Sequence, residues 1–347
     1  MRIIVALTIK DIAKLANVSK ATVSRVINNK SEGVGEETKA RILEIIRNLN
    51  YQPSLIARGL VTKRTNSLGL IIPDITNPFF PQLARGVEDT ALKHGYNLFL
   101  CNSDNNFEKE KQYLKAFIEK SVDGVILASS LSKSVSQCQL LKEKNIPFTL
   151  LDRYIEGMEQ ETGVFSDNQD GAYQAVNYFL QNGHRRIAFI SGPLNIMTAW
   201  HRFKGFQKAH CDLGLEIDYD LVKEGDYQIN SGMDFINQLL DSGKEFTAVF
   251  AGNDMMAIGV LKALRSHRIN VPKDVEVIGF DNIQLSSLIE PALSTVAQPI
   301  YDMGALGARM LINVIEGVEL KENNLFLKPE LLFRETTRYG AAQSIGN

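Results

Sequence analysis

The sequence predicts an all-α helix-turn-helix head, residues 8–52, followed by an α/β body, residues 66–340, built as two lobes of parallel sheet. Three observations carry this. Short helical patterns with polar outer faces fill the head. After Lys63-Arg64-Thr65 short apolar runs alternate with helical patterns. The charge divides at the same place: residues 1–64 hold 12 Lys and Arg against 5 Asp and Glu, net +7, and the remainder holds 26 against 35, net −9. A basic head on an acidic body points to a polyanion as the head's partner.

The head begins with Thr8-Ile-Lys-Asp11, an N-cap residue with an acid three positions later, which reads as a capping box with Asp in place of the longer Glu. Ile9, Ile12, Ala13 and Ala16 then recur at helical spacing. Asn17-Val18-Ser19 breaks the pattern, and Ser19 can cap a second helix whose buried face is Val23, Val26 and Ile27. That leaves Lys20, Ala21, Thr22, Ser24, Arg25 and Asn28 outside. Ile42, Ile45, Ile46 and Leu49 mark a third helix. In such an arrangement the second helix enters the major groove of double-stranded DNA. Lys20 and Arg25 can donate to guanine or phosphate, and Thr22 and Ser24 to phosphate oxygens. A solvated three-helix bundle with no DNA partner is the plainer alternative; charge, cap spacing and polar face together oppose it.

The run Thr8-Ile-Lys-Asp-Ile-Ala-Lys-Leu-Ala-Asn-Val-Ser-Lys-Ala-Thr-Val-Ser-Arg-Val-Ile-Asn28 resembles the signature of the lactose-repressor (LacI/GalR) family. The likeness continues through Tyr51-Gln-Pro-Ser-Leu-Ile-Ala-Arg-Gly-Leu60 and onward to about residue 338. It implies a hinge helix and linker at 53–65 that folds when a homodimer meets its operator. Leu60 would wedge into the minor groove beside Ala57 and Arg58, at a cost of a few kcal/mol per unstacked step. Gly59 departs from the family pattern; inside a helix glycine costs ~1 kcal/mol against alanine. The resemblance therefore implies that Gly59→Ala stiffens the hinge and tightens operator binding. Gly35, where a Ser usually caps the third helix, is a second departure, and glycine remains an acceptable cap.

The body's strand-like runs are Leu68–Ile72, Leu98–Cys101, Gly124–Leu127, Phe148–Leu151, Ile187–Ile190, Ala248–Phe250 and Val275–Phe280. Helical patterns such as Pro81–His94, Glu108–Lys120, Gly171–Asn182 and Met255–His267 lie between them. Such alternation means parallel sheets with helices on both faces. The family resemblance implies a periplasmic-binding-protein-like body with three crossovers. Lobe one would be about 66–163 and 297–323, lobe two about 164–296 and 324–340.

Ligands of open α/β sheets gather at the carboxyl ends of strands. There the sequence places Asn77, Phe79, Phe80, Asp152, Arg153, Arg202, Asn253, Asp281 and Gln298. Aromatic rings can cover the C–H faces of a sugar, carboxylates can accept from its hydroxyls, and Arg and amide groups can donate to its oxygens. Taken singly, each residue could be a turn, a core ring or a surface pair. Six matching stretches, 77–80, 152–153, 202, 253, 281 and 298, in order along one fold argue against that. The set is similar to the ligand shell of ribose-binding proteins, which implies a further aromatic near Tyr227, with Phe the residue expected there. Pro73-Asp-Ile-Thr-Asn-Pro-Phe-Phe-Pro-Gln-Leu-Ala-Arg-Gly-Val-Glu-Asp89 resembles the members that repress ribose operons in Gram-positive bacteria. A purine-sensing member would be expected to carry an aromatic where Arg153 stands.

The expected function is thus a repressor whose operator affinity is set by D-ribose or a related sugar. Another sugar, or a partner protein as in the catabolite-control members, is the alternative. No catalytic residue, cofactor or metal is expected: GxGxxG after a strand, GxxxxGK[ST], HExxH and GxSxG are all absent, and the three cysteines, Cys101, Cys138 and Cys211, form no CxxC pair. No apolar run approaches the ~18 residues of a membrane span. Met1–Leu7 is too short for a signal peptide, so a cytoplasmic protein is expected, nucleoid-associated when on its operator. This argues against a pure solute-binding protein, as the head does.

Overall fold

The structure, a computed structural model, describes residues 7–27, 32–51, 64–128, 135–155, 157–158 and 160–339. The chain forms two compact units, 1–65 and 66–347.

The head contains α1 (Ile9–Leu15), α2 (Lys20–Ile27) and α3 (Glu36–Asn48). Asp11 accepts the Thr8 backbone N–H at 2.8 Å and the Thr8 hydroxyl at 2.7 Å, so a short acid suffices at the start of α1. The chain leaves α1 through Asn17, whose φ of 51° a short amide side chain tolerates. Ser19 Oγ accepts the Thr22 N–H at 3.1 Å and caps α2. Gly35 caps α3 with extended backbone; Glu36 and Glu37 in the first turn and Arg47 in the last complement the helix dipole. Ile12, Ala13, Ala16, Val23, Val26 and Ile42 form the core. Leu49, the last position of the third helix's pattern, is the C-cap residue of α3; its N–H still donates to the Ile45 carbonyl at 3.0 Å and its side chain is 37% exposed.

The body's first sheet contains β1 (Ser67–Ile72), β2 (Asn97–Asn102), β3 (Gly124–Leu127), β4 (Phe148–Leu151), β5 (Gly163–Ser166) and β11 (Asn324–Leu327). Their order is β11-β5-β4-β3-β1-β2, and every pairing is parallel. The second sheet contains β6 (Ile187–Ser191), β7 (Val222–Glu224), β8 (Ala248–Ala251), β9 (Glu276–Asp281), β10 (Ser294–Ala297) and β12 (Glu330–Leu332), ordered β12-β10-β9-β8-β6-β7. Both lobes are thus built on parallel-dominated sheets, as expected; the edge strand β12 runs antiparallel to β10, a common edge arrangement.

The chain passes between the sheets after Ser166, after Ala297 and after Leu327. The first and third passages lie a few residues beyond the expected breaks at 163 and 323. Residues 163–166 and 324–327 pair with each other and complete the first sheet's edge before the chain leaves.

Helices cover both faces of each sheet. Leu68, Leu70 and Ile72 of β1 pack with α4 (Phe79–Lys93) and α11 (Ile300–Glu316). Ile71 points the other way, to α5 (Phe107–Glu119) and α6 (Val135–Glu143). In the second lobe, α7 (Asn168–Gln181) and α8 (Met197–Asp212) lie on one face, and α9 (Ile229–Asp241) and α10 (Asp254–Ser266) on the other. Burial on both faces explains why β1 reads as an unbroken apolar run. At Gly86 and Gly304 helices α4 and α11 approach so closely that a Cβ would stand 2.1 Å from the carbonyl oxygens of Tyr301 and Leu83 respectively.

Candidate functional site

Strand ends from both lobes converge on one cavity. It is lined by Asn77, Phe79, Phe80, Asp152, Arg153, Thr198, Arg202, Tyr227, Asn253 and Asp281 and holds about 280 Å³ of empty space, part of it open to solvent. Nine of the ten residues expected at the site line it. Gln298, the tenth, stands behind Asp281 and donates to its carboxylate at 2.7 Å.

Asn77 turns the chain from β1 into α4, its side-chain oxygen accepting the Phe79 N–H at 3.1 Å. Phe79 and Phe80 meet edge to face, centroids 5.0 Å apart. Arg153 lies over Phe80, 5.4 Å from its centroid, and donates to Asn105 at 2.9 Å. Arg202 is fixed on every side. It donates to Asn168 at 2.7 Å and to the Gly252 carbonyl, stacks 3.8 Å from the Phe280 centroid, and reaches Asp281 at 3.5 Å. Asn253 caps α10 through Met256 N at 2.9 Å while its amide donates to the Tyr227 carbonyl at 3.1 Å.

Three lining residues hold positive φ: Asp152 at 64°, Tyr227 at 68° and Asp281 at 114°. Each such conformation costs of order 1–3 kcal/mol and is the kind of strain found at ligand sites. Two buried acceptors, Asp152 Oδ1 and Gln298 Oε1, have no hydrogen-bond partner. Burial pushes the Asp281 carboxyl up to about 7; Arg202 opposes this and Asp152 adds to it. Asp152 is likewise raised by burial, against the pull of Arg153 and Arg202. Behind them burial, and then the charge of Asp281, hold Asp254 well above the carboxylate range; it accepts from Thr295 and the Ile283 N–H. The cavity therefore offers fixed Arg and amide donors, unsatisfied acceptors and two aromatic faces. That suits a small neutral polyhydroxyl ligand.

Sequence reasoning missed Thr198, Asn105 and Asn168. Thr198 stands one helical turn before Arg202 on α8, so the i, i+4 rule could have found it. Asn105 follows β2, a strand end that was read but not searched. Asn168 follows β5, which carried no recognised run. Among the described residues no group of three His, Cys, Asp or Glu side chains is placed to hold a metal ion. No helix among them is long and apolar enough to cross a membrane.

On the head, Lys20, Ala21 and Arg25 are exposed along α2, and Thr22 and Ser24 are half-buried. Asn28, Ala57, Arg58 and Leu60, with the expected hinge helix, lie outside the described residues.

A three-helix head with a polar second helix, together with a body that holds a polar cleft, defines a ligand-sensing DNA-binding regulator. Residues 65–331 match the family model described as periplasmic binding proteins and sugar binding domain of LacI family, and residues 8–54 match bacterial regulatory proteins, lacI family. The chain belongs to the LacI family of bacterial transcriptional regulators. It is 41% identical to the HTH-type transcriptional regulator RegA of Clostridium saccharobutylicum (96% of this chain, 99% of the relative). Identity is also 41% to the ribose operon repressor of Halalkalibacterium halodurans (96% and 98%) and 39% to catabolite control protein A of Priestia megaterium (95% and 99%). Among solved structures it resembles the lac repressor dimer bound to operator and an anti-inducer, with TM-score 0.86 and 25% identity over 95% of this chain and 99% of that one. A LacI-family regulator from Enterococcus faecium with bound ribose matches with TM-score 0.70 and 32% identity over 78% and 98%. The homologues and the fold are those of DNA-binding transcriptional regulators, not of enzymes.

Proposed function

We propose that this regulator is a homodimeric repressor whose operator affinity is lowered by D-ribose, or a closely related sugar, bound in the cleft between the lobes. The observation that carries the reading is the convergence of nine expected residues on one cavity with mixed donors and unsatisfied acceptors. The ribose-bound structure and the ribose operon repressor among its relatives support the same choice.

Lys20, Ala21 and Arg25, with Thr22, Ser24 and Asn28, are proposed to meet the operator, and Ala57, Arg58 and Leu60 its minor groove. Two heads related by a two-fold axis would read a roughly palindromic site. Sugar can release DNA only if it binds the DNA-incompetent state more tightly. The similarity to a catabolite control protein favours a second reading, in which a partner protein works the same body.

Calorimetry with D-ribose, other pentoses, hexoses and purines tests the effector, and operator binding with and without ribose tests the sign. Micromolar to millimolar ribose affinity and weakened operator binding are expected. No ribose heat at millimolar concentration would remove ribose as effector; tighter operator binding with ribose would reverse the inducer assignment.

A further inference from the structure

We infer that Tyr227 is a specificity-determining residue of the cleft: its hydroxyl pairs with one hydroxyl of the bound sugar and makes the site discriminate against the analogue lacking it. This rests on the reading of the cleft as a sugar site.

The Tyr227 hydroxyl is buried, faces the Thr198 side chain and makes no well-formed hydrogen bond. A ring that only covered the apolar face of a sugar would need no hydroxyl. A buried polar group left unpaired is a penalty that a phenylalanine would avoid. The surroundings hold the phenol head in place. The residue stands at φ 68°, uncommon for an aromatic, with its carbonyl tied to Asn253. Gly192, just after β6, leaves the space the phenol needs: a Cβ there would lie 2.0 Å from the ring Cζ and 2.4 Å from the hydroxyl oxygen. The next residue, Gln228, donates across the cleft to Asp74 at 3.0 Å, so the segment spans the two lobes where the ligand is enclosed.

The other two orphaned polar atoms of the site, Asp152 Oδ1 and Gln298 Oε1, can only accept. Tyr227 differs in offering a hydroxyl that can both donate and accept, and Thr198 supplies a second hydroxyl to the same lining. A sugar hydroxyl matches that pair, and a bare methylene leaves it unpaired. Sites built to hydrogen-bond a hydroxyl reject analogues lacking it far more strongly than apolar pockets reject a missing methylene.

The test is calorimetry on the full chain, wild type and Tyr227→Phe, with D-ribose and its monodeoxy analogues, each lacking one hydroxyl. Thermal melts check that the variant folds. The expected result is roughly tenfold weaker ribose binding by Tyr227→Phe, the scale of one neutral hydrogen bond. For one analogue alone, wild type and variant should bind alike. Equal ribose affinity in the two proteins, or the same loss with every analogue, would overturn the assignment while leaving ribose as effector. Absence of ribose binding to the wild type would overturn the effector reading, and this assignment with it.

Discussion

Arg202 and Asp281 show how single residues set the chemistry of the cleft. Arg202 is held by Asn168, the Gly252 carbonyl and the Phe280 face, so its free geometry is spent before any ligand arrives. Preorganisation of this kind lowers the ordering cost of binding. Replacing it by Ala should weaken sugar binding by about 1.5–3 kcal/mol, the range for a charge-assisted hydrogen bond. Titration of the fluorescence of Trp200, the chain's single tryptophan and two residues away, would read this. An unchanged affinity would place Arg202 outside the ligand contacts.

Asp281 adds a pH dependence. Its carboxyl stands at about 7 in the folded body, raised chiefly by burial from an ordinary value of 3.8. The folded state therefore binds more protons than the unfolded state between those values. The contribution to stability is full below 3.8 and lost as pH rises through about 7. A sugar hydroxyl donating to Asp281 needs the carboxylate, so affinity runs the opposite way. Sugar binding should be about tenfold weaker at pH 6 than at pH 8, the result of one linked proton. Calorimetry in buffers of different ionisation enthalpy would detect its release; a flat profile would exclude Asp281 as the acceptor.

At the scale of elements, glycines and caps decide how helices sit. Helices α4 and α11 touch backbone to backbone at Gly86 and Gly304. Gly304→Ala should destabilise the body by roughly 1–3 kcal/mol, because the helices must separate to admit the methyl group. The gain in helix propensity, under about 1 kcal/mol, is smaller. Urea unfolding would measure the balance, and a stabilised variant would show that the helices can part freely. On the head, Ser19→Ala removes the α2 cap and should cost the head about 1 kcal/mol. Circular dichroism melts of the head region would follow it. The cap was legible because Ser19 directly precedes an apolar helical spacing. Gly86 and Gly304 were not legible as contacts, since 218 positions separate them and nothing in either neighbourhood names the other.

For the whole molecule, the charge division and the edge of the first sheet matter most. Edge strand β2 exposes Phe99 and Leu100, and Leu92 on the adjacent α4 is exposed as well. Apolar residues on an unpaired edge invite a second chain. Leu100→Asp should shift the proposed dimer toward monomer in sedimentation and weaken operator binding, since one head then acts alone. A variant that stays dimeric with full operator affinity would move the interface elsewhere. The +7 head should also give operator binding that falls steeply with salt.

Local pattern was enough for the helix-turn-helix head, the parallel α/β alternation and most of the cleft residues. Those features rest on neighbours within a few positions: caps, helical spacing, and polar residues directly after apolar runs. Tertiary structure decided the rest. It set the exact crossovers, because β5 and β11 pair across 161 positions to finish one sheet. It turned β12 antiparallel, where a three-residue edge strand carries too little sequence to announce its direction. It also buried Asp152, Asp281, Gln298 and the hydroxyl of Tyr227 together, and so left polar atoms without partners that no single segment reveals. Burial and pairing are properties of distant chain brought close, and that is why the type of site was readable in advance while its unsatisfied atoms, raised carboxyl and Tyr227 hydroxyl were not.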